Sequence, residues 1–175
     1  MTAANSSIAG TSGATLPRML RSGDVAPDFT LADHDGRPMR LTDLLAQGPL
    51  ILYFYPADFT PGCTSEACAI RDLHEELLAA GLNVVGVSPQ DSSTHSRFRA
   101  RHSLPFTLLA DTDKRVIKAY GVDGPIGLGV RRATFLIMPD GRIADAVLAD
   151  LRIARHEQFI RRAIAAGAKE ANESV

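Results

Sequence analysis

FYPADFTPGCTSEACAIRD, residues 54–72, is the stretch on which the reading of the whole chain turns. It begins inside the run Leu50-Ile51-Leu52-Tyr53-Phe54-Tyr55, continuously apolar or aromatic, as a central strand covered on both faces requires. The strand ends at Pro56 and a turn-rich loop follows. A helix is then predicted over about Cys63 to Ala80, stopped by Gly81, a residue suited to the left-handed C-terminal position. At ~100° per residue, Ala67, Ile70, Leu73, Leu77 and Leu78 share one arc with Cys63. Cys63 therefore faces the body of the domain from the start of the helix. Cys68 points about 140° away, near Asp72 and Glu75.

Outward from this stretch, strand and helix patterns alternate. Phe29–Leu31 and Pro38–Leu41 flank the turn residues Asp33 to Gly36, which predicts a short hairpin, and Thr42 caps a brief helix holding Leu44 and Leu45. Beyond the cysteine helix, strands are expected at Asn83–Val87, Phe106–Leu109, Thr134–Met138 and Ile143–Leu148, the last two joined around Pro139-Asp140-Gly141. Helices are expected at Ser93–His102, Asp113–Tyr120 and about Ala154–Ala166. This order predicts one α/β domain, a mixed central β-sheet sandwiched by helices with an N-terminal β-hairpin extension. The domain is expected over residues 23–168. Residues 1–22, rich in Ala, Ser, Thr and Gly, are expected to form a flexible N-terminal tail, and 169–175 a C-terminal tail. Residues 1–22 lack the continuous apolar stretch of a secretory signal, although their composition leaves an organellar transit peptide open.

The chain has 175 residues, 45% apolar and 22% charged, with a net charge of −1. That balance gives no overall basic field for nucleic acid or an anionic membrane, and no apolar run is long enough to suggest a spanning helix. Its 2 cysteines are too few for a disulfide framework or a four-cysteine zinc site. A cysteine on an apolar face is ordinarily a small packing residue. Here the turn-rich loop and the helix N-terminus, with its unpaired N–H groups and positive dipole end, favour a reactive thiolate instead. Five residues apart on a regular helix, the two Cα atoms lie about 8.6 Å from one another. A disulfide needs about 4.4–6.8 Å. At least one turn must therefore unwind before the pair can bond.

Here the residues match a known pattern. Pro56, Thr60 and Cys63 have the spacing of the peroxiredoxin active-site loop, and DFTPGCTSEAC resembles the peroxiredoxin Q, or bacterioferritin comigratory protein, subfamily of AhpC/TSA-like peroxidases. The resemblance extends in order through APDFTL, GVSPQDS, LPFTLLAD, KAYGV and RATFLI, over roughly residues 22–165. It implies a thioredoxin-like fold and thiol-dependent reduction of hydrogen peroxide or organic hydroperoxides, with no cofactor and no metal. By resemblance Cys63 is the peroxidatic cysteine and Cys68 the resolving one. Thr60 and Arg132 bind and polarise the peroxide, Pro56 shields the thiolate, and Glu66 helps orient the arginine. The implied cycle is an atypical 2-Cys mechanism: a sulfenic acid on Cys63, a Cys63–Cys68 disulfide, then reduction by thioredoxin or a similar dithiol.

Strand alternation turns Arg131, the neighbour of Arg132, to the opposite face. The chain departs from the subfamily at Ala57, where lysine is common, at Met138, and in a short Gly-rich connection between Gly121 and Arg132. His34, His74, His95, His102 and His156 have no metal-ligand spacing, and His74 is expected to pack on the apolar arc. The competing class is a non-enzymatic thiol protein of the same fold, a redox sensor or a metal carrier. Sustained peroxide turnover separates the enzyme from these. An intramolecular disulfide needs no second subunit, so a monomer or weak homodimer is expected. A pair that must be cyclically reduced favours the cytoplasm.

Overall fold

Every residue of strand β3, Leu50–Phe54, is buried. Its side chains alternate between two separate cores, Leu50, Leu52 and Phe54 in one, Ile51 and Tyr53 in the other. This is why the run carries no polar alternation: both faces of the strand are covered. The computed structural model describes residues 18–127 and 129–173, with no side chains described beyond Gly167. Among these, β1 (Thr30–Asp33), β2 (Pro38–Arg40), β3, β4 (Asn83–Ser88), β5 (Thr107–Ala110), β6 (Ala133–Ile137) and β7 (Ile143–Leu148) form one sheet in the order β2-β1-β5-β4-β3-β6-β7. β3 and β5 flank β4 in parallel, and the remaining pairs are antiparallel. The mixed α/β sandwich is the thioredoxin-like architecture expected.

Helices α1 (Leu41–Leu45) and α5 (Arg115–Ala119) supply Leu41, Leu44, Leu45, Val116 and Ile117 to one core. Helices α2 (Pro61–Asp72), α3 (His74–Ala79), α4 (Ser92–His102) and α6 (Ile153–Glu173) close the other. The parallel strands β3, β4 and β5 all end at the same edge of the sheet, the place where open α/β sheets gather their ligand-binding groups.

Several boundaries differ from expectation. The single helix predicted over Cys63–Ala80 is two, broken at Leu73 (φ −95°, ψ 1°). No glycine or proline marks the break. It re-phases the chain so that Leu73 and Leu77 are both buried while Leu78 turns outward, 54% exposed, against its expected place on the arc. The helix also begins two residues earlier than expected, with Pro61 in its first position, where a missing N–H leaves nothing unpaired. Arg40, not Thr42, precedes α1, because Leu41 turns into the core as the helix begins. The N-terminal hairpin does extend the sheet as expected, since β1 also pairs with β5. The backbone of α6 continues to Glu173, past its expected end near Ala166.

Residues 1–17 of the expected N-terminal tail lie outside the described residues. Residues 18–20 lie against the domain: the Leu20 N–H donates to the Tyr120 carbonyl at 3.2 Å, and Met19 and Leu20 pack on the core. Gly121 makes this crossing possible. At φ +68° it holds a left-handed conformation, and a Cβ there would stand 2.1 Å from the Arg18 carbonyl oxygen. Gly121→Ala is therefore expected to displace residues 18–20 and cost about 2 kcal/mol of stability. A lower urea midpoint, with faster tryptic cleavage after Arg18 or Arg21 under native conditions, is the expected result.

Candidate active site

The register of β3 on β6 sets Phe54 opposite Ala133. The loop leaving β3 therefore runs beside the residue that precedes β6, which is Arg132. The loop enters α2 through Thr60, whose extended backbone (φ −78°, ψ 147°) occupies the N-cap position. Its hydroxyl does not cap the helix but donates to the Ala57 carbonyl at 3.1 Å. Cys63 sits in the first turn, 2% exposed, on the inner face with Ala67 and Ile70.

Arg132 is itself buried and reaches in two directions. Its Nη2 donates to Cys63 Sγ at 3.3 Å, and its Nη1 donates to Glu66 Oε2. Glu66 follows Cys63 by three residues, so the helix presents sulfur and carboxylate to one guanidinium. Gly62 keeps the approach open, since a Cβ there would stand 3.3 Å from Arg132 Nη2. Arg131 points away as strand alternation requires, its Nε and Nη2 donating to Asp150 at 3.2 and 3.0 Å.

Behind Glu66 lies a polar group that nothing in the sequence pattern pointed to. Glu66 Oε1 has no hydrogen-bond partner among the described residues and lies 3.7 Å from His156 Nδ1. Burial pushes the His156 imidazole below its ordinary value, which favours the neutral ring. His156 Nε2–H then donates to the Ala149 carbonyl at 3.0 Å, and Nδ1 accepts the Thr134 hydroxyl at 2.9 Å. Thr134 lies on β6 and His156 on α6, so only the packed fold brings them to a residue of α2.

Pro56, half-buried, lines a surface cleft of about 510 Å³ together with Pro125, Val130, Arg132 and Asp150. Cys68 is half-buried on another face of α2, and both cysteines are free thiols. The structure thus gathers Cys63, Glu66 and Arg132 in contact, puts Pro56 beside Arg132 in the cleft, turns the Thr60 hydroxyl onto the Ala57 carbonyl, and holds Cys68 on another face of the helix. His74 packs as expected, its ring 6.3 Å from that of Phe106.

Residues 22–146 match the model of the AhpC/TSA family. The chain belongs to that family. It is 41% identical over 147 residues to "Peroxiredoxin Bcp" of Escherichia coli (strain K12), an alignment covering 81% of this chain and 93% of that one. Among solved structures it is similar to Peroxidoxin BcpB of Mycobacterium tuberculosis, with a TM-score of 0.79 and 35% identity over 84% of this chain and 97% of the other. The Xanthomonas campestris bacterioferritin comigratory protein, studied for alkyl peroxide reduction activity, gives 0.72 and 32% over 80% and 92%. As a peroxiredoxin the protein is a thiol-dependent peroxidase, an oxidoreductase using a peroxide and a thiol reductant. Among the described residues no helix is long and apolar enough to cross a membrane.

In this peroxiredoxin the guanidinium serves two partners at once. Burial opposes the charge of Arg132, yet Glu66 and the Cys63 sulfur together hold its pKa above the ordinary value. Burial pushes the Glu66 carboxyl from 4.5 up to about 7, and Arg132 offsets only part of that rise. A carboxyl whose pKa is raised on folding stabilises the native state fully below its unfolded value. That contribution is lost as pH rises through the folded value. The stability of the wild type relative to Glu66→Gln should therefore fall between pH 4.5 and about 7 and level off above. A total fall on the order of 3 kcal/mol is expected. Paired denaturant titrations across that range check it, and parallel pH dependences in the two proteins would remove the raised carboxyl from the account.

Proposed function

We propose that Cys63 is the peroxidatic nucleophile and Cys68 the resolving thiol of an atypical 2-Cys peroxidase cycle recycled by thioredoxin or a similar dithiol. The supporting observation is the single guanidinium that contacts Cys63 Sγ through Nη2 while Nη1 is fixed by Glu66. In the first step the Cys63 thiolate attacks one peroxide oxygen and the O–O bond breaks. The sulfur is oxidised to a sulfenic acid, and the departing alkoxide or hydroxide takes a proton to become alcohol or water.

A free thiol of pKa about 8.5 is only a few per cent thiolate at neutral pH, so full ionisation is worth about thirtyfold, or roughly 2 kcal/mol. Efficient peroxide reduction needs more, and the larger part comes from fixed donors that meet the charge developing as the O–O bond breaks. Arg132 supplies permanent positive charge and several N–H donors, and Thr60 a hydroxyl that both donates and accepts. Glu66 orients the arginine. Pro56 screens the thiolate from water. Pro56, Pro125 and Val130 wall the cleft leading to Arg132, an apolar rim that suits organic hydroperoxides as well as hydrogen peroxide.

In the second step the start of α2 unwinds, and the Cys68 thiolate attacks the sulfenic sulfur, forming the disulfide and releasing hydroxide. The dithiol reductant then attacks that disulfide and leaves oxidised, with both cysteines reduced. Within one chain this cycle needs no partner subunit, which fits a monomer or weak homodimer, and its reducing step fits the cytoplasm. The catalytic unit is the domain over residues 23–168.

Three measurements test the cycle. With thioredoxin, its reductase and NADPH, sustained peroxide consumption is expected, whereas one equivalent consumed per chain would leave a sensor. Cys68→Ser should form the Cys63 sulfenic acid on the first turnover and then lose thioredoxin-supported turnover, and full turnover would remove Cys68 from the cycle. Arg132→Met should slow the first step by about 10²–10³-fold, read by stopped flow.

A further inference from the structure

The loop that carries Pro56 and Thr60 is tied to helix α4 through a buried pair that has no part in the cycle above. Asp58, in the middle of this loop, is 5% exposed and His95 on α4 is fully buried. His95 Nδ1 meets Asp58 Oδ2 at 2.7 Å, and Asp58 Oδ1 accepts the Tyr55 hydroxyl at 2.7 Å. The backbone N–H of Asp58 donates to Gln90 Oε1, just ahead of α4. The other ring nitrogen of His95, Nε2, lies 3.1 Å from the Leu109 carbonyl at the end of β5.

The next residue completes the attachment. Phe59 adopts φ +61°, a left-handed conformation that a side chain as large as phenylalanine holds only under external constraint. Its ring packs edge-on to Phe98 at 5.2 Å and lies 6.4 Å from His102. His95, Phe98 and His102 fall at i, i+3 and i+7, one face of α4. One helix face thus grips two consecutive loop residues, one by a hydrogen bond and one by ring packing. The strained residue lies immediately before Thr60.

We propose that Asp58 and His95 are positioning residues for the peroxidatic step. Their buried contact clasps the loop to α4, sets Thr60 and Pro56 over Cys63, and forms the fixed end from which α2 unwinds. The pair is dry, and separating it would leave buried polar groups without their hydrogen-bond partners, so opening of the helix propagates from Thr60 onward and not back through Asp58. The inference rests on the reading of Cys63 as the nucleophile.

The two nitrogens of His95 allow the clasp to be separated from general stability. Asparagine at 95 carries its amide N–H near the position of Nδ1 and keeps the bond to Asp58. Glutamine carries it near Nε2 and keeps the bond to Leu109 instead. Each substitution keeps the contacts of one ring nitrogen and removes those of the other, Nδ1 with Asp58 and Tyr55 or Nε2 with Leu109 and Ser88, so their melting temperatures should fall by similar amounts.

Their reactions with peroxide should diverge. His95→Asn is expected within about threefold of the wild-type stopped-flow rate, and His95→Gln about ten- to a hundredfold slower, the cost of a displaced loop. Equal rates for the two variants, or rates that follow melting temperature alone, overturn the proposal. If neither variant folds, Asp58→Ala reads the same clasp from the loop side. It should be slowed by about tenfold or more, and a wild-type rate overturns the proposal. A wild type that forms no sulfenic acid on Cys63 would instead overturn the peroxidatic reading itself.

Discussion

Arg132 holds one guanidinium between a sulfur and a carboxylate, largely buried at the foot of a surface cleft, and the rest of the architecture is arranged around it. A buried positive charge is tolerated only where its counter-charges and hydrogen bonds are fixed in position. Cys63 and Glu66 meet that requirement because a helix sets residues three apart side by side. The helix can face Arg132 only because antiparallel pairing of β3 with β6 brings the start of one strand to the end of the other.

The carboxylate does more than balance charge. Burial raises the Glu66 carboxyl to about 7, so near neutral pH the site stands close to gaining or losing one proton. When Glu66 is ionised it competes with Cys63 for the guanidinium, and when it is protonated the full positive charge faces the sulfur. Thr134 and His156 stand behind this carboxyl as a neutral wall: the imidazole is held uncharged by burial and its hydrogen bonds are spent on the threonine and the Ala149 carbonyl. The reactive sulfur is therefore backed by a layer of polar groups rather than by hydrocarbon alone.

The same helix that builds the site keeps its two cysteines apart. Regular winding holds Cys63 and Cys68 about 8.6 Å apart at Cα, beyond disulfide reach, so the two thiols stay separate while the helix is intact. Pro61 and the N-cap position of Thr60 start that helix, and the break at Leu73 ends it after three turns, before α3 takes a new direction. A short first helix with its own packing is easier to open locally than one continuous through Ala79, because opening does not disturb the burial of Leu77.

The sequence by itself determined a great deal. The uninterrupted apolar run at 50–55 named the central strand, the α/β alternation named the sandwich, and the loop DFTPGC with RATFLI identified the family and the residues that meet at Cys63. These signals are local: strand period, turn residues and motif spacing are properties of neighbours in the chain. What only the tertiary structure decided depends on residues far apart. The break at Leu73 has no local breaker and answers to packing, as does the attachment of residues 18–20 across Gly121. Thr134 and His156 behind Glu66, and the contact of Asp58 with His95, join different elements, and an isolated histidine in a sequence carries no mark of what it will face. The physical reason is the same in each case. Burial fixes charge state, partner and strain, and burial is a property of the assembled layers.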